Sequence, residues 1–316
     1  MVGTPEPGDE VLLNVGAQRR GLGTGGYAFV VAIPHRLPPD PPPAPGHIVK
    51  ARYTPLQAMV CGVEEQESDH HAELARAESV DGMPVVVAGL HSSLPAVLAG
   101  IRQVRAAARV VYLMSDGAAL PVWFSRAVAG LRQAGWLAAT VTAGQAFGGD
   151  LEATTVHSGL LAARHVAGAG IVVVAQGPGN AGTGTTWGFS GVQAGEAVNA
   201  AAAVGGRPVA VLRISGADAR ARHQGVSAQS LTALGRVALA RADVVVPRLG
   251  GDLGDLVHRQ AQQLAGRHRL VPVAVDGLRE ALAASPVPLS TMGRSVAEDP
   301  AAFLAAAAAG VHAAGL

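Results

Sequence analysis

Between residues 84 and 275, short runs rich in valine and isoleucine alternate with longer stretches in which apolar residues return every three or four positions. The runs at 84–88, 110–114, 137–141, 171–175, 209–214, 244–246 and 271–275 place apolar residues on consecutive positions, as strands buried on both faces require. The stretches between them, at 95–104, 121–134, 151–166, 192–204, 227–241 and 253–265, have helical spacing. This alternation predicts an α/β fold over 83–316: a doubly wound, mostly parallel, Rossmann-like sheet covered by helices on both sides. The alanine-rich stretch 301–316 reads as a last packing helix, too short and too weakly hydrophobic to span a bilayer.

The first 65 residues follow a different pattern. Short β-type runs at 10–15, 27–33, 48–53 and 56–63 are separated by glycine and proline, and the proline stretch 38–45 reads as a stiff exposed loop. The expectation is a small antiparallel β unit over 1–65, a partial barrel. Four strands are few for closure, so an upstream strand lost through a start codon placed too late is part of that expectation. The acidic run 64–81 reads as a charged connector or solvated helix, with the linker proper at 66–82 and His70 and His71 on its surface.

Composition narrows the function classes. Hydrophobic residues make up 49% of the 316 and charged ones 15%, which suits a packed core rather than a disordered chain. A net charge of +1, scattered along the chain, lacks the basic stripe of a nucleic-acid binder, and nothing indicates a membrane partner. The single cysteine, Cys61, excludes an internal disulfide and a thiolate zinc site, and it has no evident histidine partner for catalysis. With no basic and apolar leader at the N-terminus, the expected location is cytoplasmic. The only lysine is Lys50, in the β unit, so Schiff-base and P-loop lysine chemistry lack their amine in the α/β region. Cationic work there falls to arginine, histidine and backbone N–H groups. A homo-oligomer is left open.

Ligands of open α/β sheets bind beyond the carboxyl ends of the strands. Those ends carry His91-Ser92-Ser93, Ser115-Asp116-Gly117, Gln145 through Asp150 and Glu152, the 176–186 loop, 213–223, and Arg248 with Asp252. The opposite ends are plain: Met83, Arg109, Gly135, Gly170 and Gly206. The asymmetry marks a functional edge.

Gly177-Pro178-Gly179-Asn180-Ala181-Gly182 matches the spacing of a dinucleotide fingerprint, but the helix starts too late and the next strand ends in Arg213-Ile214-Ser215 instead of an acid. The overlapping segment through Gly184, Thr185 and Thr186 resembles a P-loop with threonine in the lysine position, which argues against triphosphate hydrolysis. Anion binding survives both objections. Backbone N–H groups and hydroxyls of Gly177, Gly179, Asn180, Gly182, Thr183, Gly184 and Thr185 would cradle the anion, against the plainer reading of a glycine-rich turn.

Arg213, Ser215, Asp218, Arg220, Arg222 and His223 form a second cluster suited to holding phosphate or carboxylate, against the plainer reading of a charged turn before the helix at Ser227. His223 or His91 is the candidate general acid/base, with Asp116 and Asp150 orienting it. Asp116, Asp150, Glu152 and Asp218 also leave open a hard divalent cation, Mg²⁺ or Mn²⁺, although Asp150 and Glu152 sit where the 151–166 helix would start and would serve equally as caps. Nucleophile-elbow and zinc-protease motifs are absent.

The segments 8–14, 21–26, 116–121, 147–153, 177–186 and 213–227, in that order, resemble the bacterial family catalogued as domain of unknown function 3866. The resemblance runs over nearly the whole chain and implies no activity. It implies relatives that start a few dozen residues earlier, in keeping with the missing strand. It also implies histidines where this chain has Gln145 and Ala228-Gln229, and an aromatic residue where it has Gly216, so that this member is impaired or specialised if those histidines are catalytic. The functional expectation is a small-molecule enzyme of hydrolase or transferase type acting on an anionic or phosphorylated ligand. The alternative is a non-catalytic nucleotide or metabolite sensor whose β unit contacts a partner.

Overall fold

The computed structural model describes residues 2–21, 26–40, 42–55, 57–118 and 121–316, and the chain divides into two units, 1–60 and 61–316. Parts of the expected 21–26 and 116–121 motifs, Pro41 of the proline stretch and Leu56 of the fourth β-type run lie outside the described residues.

In the first unit, β1 (Leu12–Asn14) is followed by the single turn α1 (Gly16–Arg19), then β2 (Phe29–Ala32), β3 (Ile48–Lys50) and β4 (Ala58–Val60). β1 pairs antiparallel with β2 and β3 with β4, giving two separate two-stranded sheets among the described residues. The strands are shorter than the expected runs. After β3, Ala51 and Tyr53 take positive φ values of 48° and 64°, a left-handed geometry that ends extended pairing.

The second unit runs α2 (His71–Leu74), β5 (Pro84–Ala88), α3 (Leu94–Val104), β6 (Val110–Ser115), α4 (Arg126–Gln133), β7 (Ala139–Ala143), β8 (Leu151–Ala153), α5 (Val156–His165), β9 (Ile171–Gln176) and α6 (Gln193–Ala203). It continues with β10 (Arg207–Val211), β11 (Ile214–Ser215), β12 (Gly225–Val226), α7 (Ala228–Thr232), β13 (Asp243–Pro247), α8 (Gly251–Ala261), β14 (Arg269–Val273), α9 (Leu278–Ala283), β15 (Ser290–Thr291), β16 (Arg294–Ser295) and α10 (Pro300–Ala314). Eight strands form one parallel sheet in the order β14-β13-β10-β5-β9-β6-β7-β8. This is the doubly wound α/β architecture that the valine runs predict.

Strand order decides where the crevice falls. The chain starts in the middle at β5 and steps one way to β6, β7 and β8. It then returns to β9, between β5 and β6, and goes the other way through β10, β13 and β14. Right-handed crossovers put helices of opposite winding direction on opposite faces. Accordingly α3, α4, α9 and α10 bury Leu98, Leu131, Leu282 and Phe303 in one core, while α5, α6 and α8 bury Leu160, Val198 and Val257 in the other. The loops after β5 and β6 therefore leave toward one face and those after β9 and β10 toward the other, and the gap between them is the switch-point crevice.

Three local departures from the expected elements bear on the site. Leu151–Ala153 is the edge strand β8 rather than a helix start; the helix begins at Val156, where Thr155 caps it with the Ser158 N–H at 3.1 Å. The stretch 209–214 is a strand only to Val211, after which the chain enters the β11–β12 hairpin. The acidic run is not solvated throughout: Glu64 Oε1 accepts the Thr154 N–H (2.8 Å) and the Ser158 hydroxyl (2.7 Å), and Glu65 is buried.

α10 crosses α3 at glycines. A Cβ on Gly100 would lie 1.9 Å from the Ala307 carbonyl oxygen, and one on Gly310 would lie 2.1 Å from that of Val97. Backbone faces backbone, and neither side can yield. Gly100→Ala is expected to lower stability by about 1–3 kcal/mol despite alanine's better helix propensity. Urea denaturation checks this; a neutral or stabilising substitution would contradict the close crossing.

Candidate functional site

At the carboxyl edge, the end of β10 rises into the β11–β12 hairpin, and the β15–β16 hairpin and the start of α10 close against it. Asp299, just before α10 and 1% exposed, joins them. Its carboxylate accepts the Ser215 hydroxyl at 2.5 Å, the Gly216 N–H at 3.0 Å and Arg294 Nε at 3.2 Å. Ser215 Oγ in turn accepts the Asp218 N–H at 2.9 Å, which folds the hairpin turn over.

Asp218, also buried, accepts a bidentate pair of hydrogen bonds from Arg220, each 2.8 Å, plus the Arg220 N–H (3.0 Å) and Arg294 (3.2 Å). The Arg220 side chain, followed by its N–H and the Arg294 charge, holds Asp218 well below the usual carboxylate range. Arg213 is placed differently. It is half-buried, and its guanidinium donates at 2.7 Å to the neutral Gln229 Oε1 without a carboxylate partner among the described residues. Burial first, then the neighbouring Arg220, Arg294 and Arg222 charges, pulls its pKa down. Arg222 is exposed, with no hydrogen bond or ion pair among the described residues. Against the guanidiniums of Arg213, Arg220, Arg222 and Arg294 stand the buried carboxylates of Asp218 and Asp299 and the exposed Glu298 beside Arg294, which leaves positive charge in excess.

The 176–186 loop reaches the same cluster. A Cβ on Gly184 would lie 3.9 Å from the Arg222 guanidinium carbon, and one on Gly182 3.3 Å from Gln229 Nε2. Arg236 stacks on Trp187 with 5.6 Å to the ring centre. The loop is a hairpin braced on itself rather than a helix N-terminus. Thr183 bonds Thr185 (2.9 Å) and the Gly188 carbonyl (3.0 Å), Thr185 Oγ1 accepts the Gly188 N–H (3.1 Å), and Gly182 bridges antiparallel to Phe189. The threonine hydroxyls thus shape the loop, and its flexible Gly179 and Gly184, at φ 106° and 82°, turn it back. Asn180, bonded to Gln176 and Ser190, fixes the loop's root, and Gly177 is buried there beside Met114.

The two histidines sit in separate networks. His223 is buried in the β11–β12 hairpin, with Nδ1 2.7 Å from Ser227 Oγ and Nε2 without a hydrogen bond among the described residues. Burial, then Arg213 and Arg220, lowers its pKa to about 4. His91 follows β5. Tyr112 gives its hydroxyl hydrogen to the Ala175 and Gln176 carbonyls (3.2 and 3.1 Å), so it accepts from His91 Nδ1 at 2.9 Å. His91 Nε2 is then the acceptor for Ser125 Oγ at 2.7 Å. Both ring nitrogens are engaged and desolvation lowers the pKa to about 4, so His91 ties β5, β6 and the N-terminus of α4 together as a neutral ring.

Of the residues expected at the site, Arg213, Ser215, Asp218, Arg222 and His223 come together, with the 182–184 segment alongside. Asp116 lies at the same edge but after β6, where it takes the Gln145 N–H (3.3 Å) and Gln193 (3.4 Å). Asp150 is a correction. Because β8 pairs parallel with β7, the loop before it carries Asp150 back to the amino end of the sheet, where it bonds Arg132 and both the N–H and hydroxyl of Thr140. Glu152 lies on β8, bonded to Thr142 and the Gly148 N–H, and caps no helix. The four acids therefore do not converge, and among the described residues no group of three His, Cys, Asp or Glu side chains is arranged to hold a metal ion.

The sequence reading missed Arg294 and Asp299. The Asp299-Pro300 step ahead of the alanine run marks a helix start, but nothing local shows the carboxylate turned toward Ser215. The crevice itself, lined by Leu90, Ser92, Arg213, Ser215, Thr291 and Arg294, is narrow and admits water-sized groups along its floor.

These features define an α/β protein of the doubly wound class with a cationic crevice at the switch point of its sheet. Over residues 1–310 the chain matches the family described as "Protein of unknown function (DUF3866)", and it belongs to that family. A search of curated proteins found no match.

Both site-edge histidines have folded values of about 4 against an ordinary 6.5, so the unfolded chain takes up protons first as pH falls. The stability they contribute is whole above pH 6.5 and is lost as pH drops toward about 4. Histidine-ring NMR should show both imidazoles still neutral at about pH 5.5; protonation near 6.5 would contradict the buried networks.

Proposed function

We propose that the crevice between the ends of β5 and β10 binds a small anionic or phosphorylated ligand, and that the protein is a cytoplasmic bacterial enzyme of hydrolase or transferase type. The observation that carries this reading is Arg213: a half-buried guanidinium with a neutral partner, surrounded by three more arginines. Charge in that setting is stabilised by an incoming anion. Arg222, exposed and facing the 182–184 segment, supplies the second fork. His223, adjacent to Arg222 in the chain and neutral at physiological pH, is the general base of the reading, through its unengaged Nε2. No described helix is long and apolar enough to cross a membrane.

A non-catalytic sensor is the second reading. It is favoured by His91, whose two ring nitrogens are already engaged, and by Asp218, whose carboxylate is occupied by arginine.

A thermal-shift series with phosphate, sugar phosphates and nucleotides tests the binding. A ligand at a hundred times its Kd adds about 2.7 kcal/mol, a rise of several degrees. Arg222→Ala should remove most of that rise while leaving the ligand-free Tm nearly unchanged, because the side chain is exposed and unpaired. No rise with any anion would overturn the reading. A rise without turnover, and with His223→Gln binding as tightly as the parent, would favour the sensor.

A further inference from the structure

Farther along the same edge, between β6 and β9, two amide groups are locked with their oxygens facing one small space. Gln176 Nε2 donates to the Gly89 carbonyl at 3.0 Å and to Asn180 Oδ1 at 2.9 Å. A carbonyl only accepts, so the amide cannot be turned over. Its Oε1 is buried, in a residue 4% exposed, and has no hydrogen-bond partner among the described residues. Gln193, half-buried, is oriented by the same logic: its Nε2 donates to the Asp116 carboxylate (3.4 Å), and its Oε1 accepts the Ser115 hydroxyl at 3.4 Å. Both oxygens approach the bare Cα of Gly117; a Cβ there would stand 2.7 Å from Gln176 Oε1 and 2.8 Å from Gln193 Oε1. A buried acceptor left without a donor is costly, so Gln176 Oε1 calls for one, and the Gln193 oxygen beside it has only a long bond from Ser115.

The pocket that Gln176 and Gln193 line neighbours the cationic crevice. Gly89, Gly191 and Ala194 line it and also line the pocket that reaches Arg213, and Leu90 and Arg213 continue into the crevice proper. One end of the edge thus has excess positive charge. The other offers two amide oxygens and a carboxylate, with both amide N–H₂ groups already committed.

The geometry points to a ligand with two unlike ends: an ammonium held by Gln176 Oε1, Gln193 Oε1 and the Asp116 carboxylate, and an anionic group held by Arg213 and Arg222. A hydroxyl brings one hydrogen and turns lone pairs toward acceptors. An ammonium brings three donors and no acceptor, and its charge matches Asp116. The inference deepens the anion-binding reading and rests on it for the anionic end alone.

The test is calorimetric titration with ω-aminoalkyl phosphates of increasing length, against alkyl phosphates, ω-hydroxyalkyl phosphates and alkylamines of matching length. At one length the aminoalkyl phosphate should bind about tenfold tighter than its alkyl counterpart or better. That gain should vanish in Gln193→Leu and in Asp116→Asn, with alkyl phosphate binding unchanged in both. No gain at any length, or a gain that survives both variants, overturns the proposal; equal gain from the hydroxyalkyl series overturns the assignment of an ammonium. If alkyl phosphates themselves do not bind, the anionic end falls. The alkylamines then decide the other end: tighter binding to the parent than to Gln193→Leu upholds it, and equal or absent binding sinks it.

Discussion

The direction of winding is the constraint on which this molecule turns. A parallel strand must be reached by a right-handed crossover, so a chain that begins at β5 and fills the sheet on both sides must reverse its course once. The reversal sends the loops after β5 and β6 to one face and those after β9 and β10 to the other. No side chain decides this. The gap it opens is where His91, Asp116, Gln176 and Arg213 all emerge, from strands far apart in sequence but neighbours in the sheet.

Within that gap, charge is managed by burial. Asp299 and Asp218 are nearly inaccessible, and each is surrounded by donors, so they neutralise Arg220 and Arg294 and stiffen two short hairpins that would be marginal alone. Arg213 and Arg222 are left without such partners. The division separates arginines that hold the architecture from arginines with electrostatic capacity to spare, although all four lie in one cluster.

Much of this was legible in the sequence, for a physical reason. Strands covered on both faces must be apolar at every position, so the Ile171–Gln176 and Val110–Ser115 strands stand out. β8 does not: Leu151-Glu152-Ala153 is a three-residue edge strand with no pattern of its own, and missing it moved Asp150 to the wrong end of the sheet. The arginine cluster showed itself because it is local, from Arg213 to Arg222. Asp299 did not, since its bond to Ser215 spans 84 residues. The threonine loop was read for its hydroxyls as ligand donors, whereas those hydroxyls close the loop on itself. Gln176, read as the first residue of that loop, is the last residue of β9, and only its buried environment shows that its oxygen lacks a donor.

The order of synthesis gives α10 a further significance. It is mostly alanine, buried nearly all round, and it carries Asp299 at its head, with Arg294 on the hairpin before it. Alanine gives up almost no side-chain freedom on docking, which suits a segment that arrives after the sheet is already in place. On the ribosome, the strands from β5 to β14 emerge before this segment does. The crevice therefore gains its central carboxylate only after every strand of the parallel sheet has been made, and the growing polypeptide cannot present a complete site before α10 has docked.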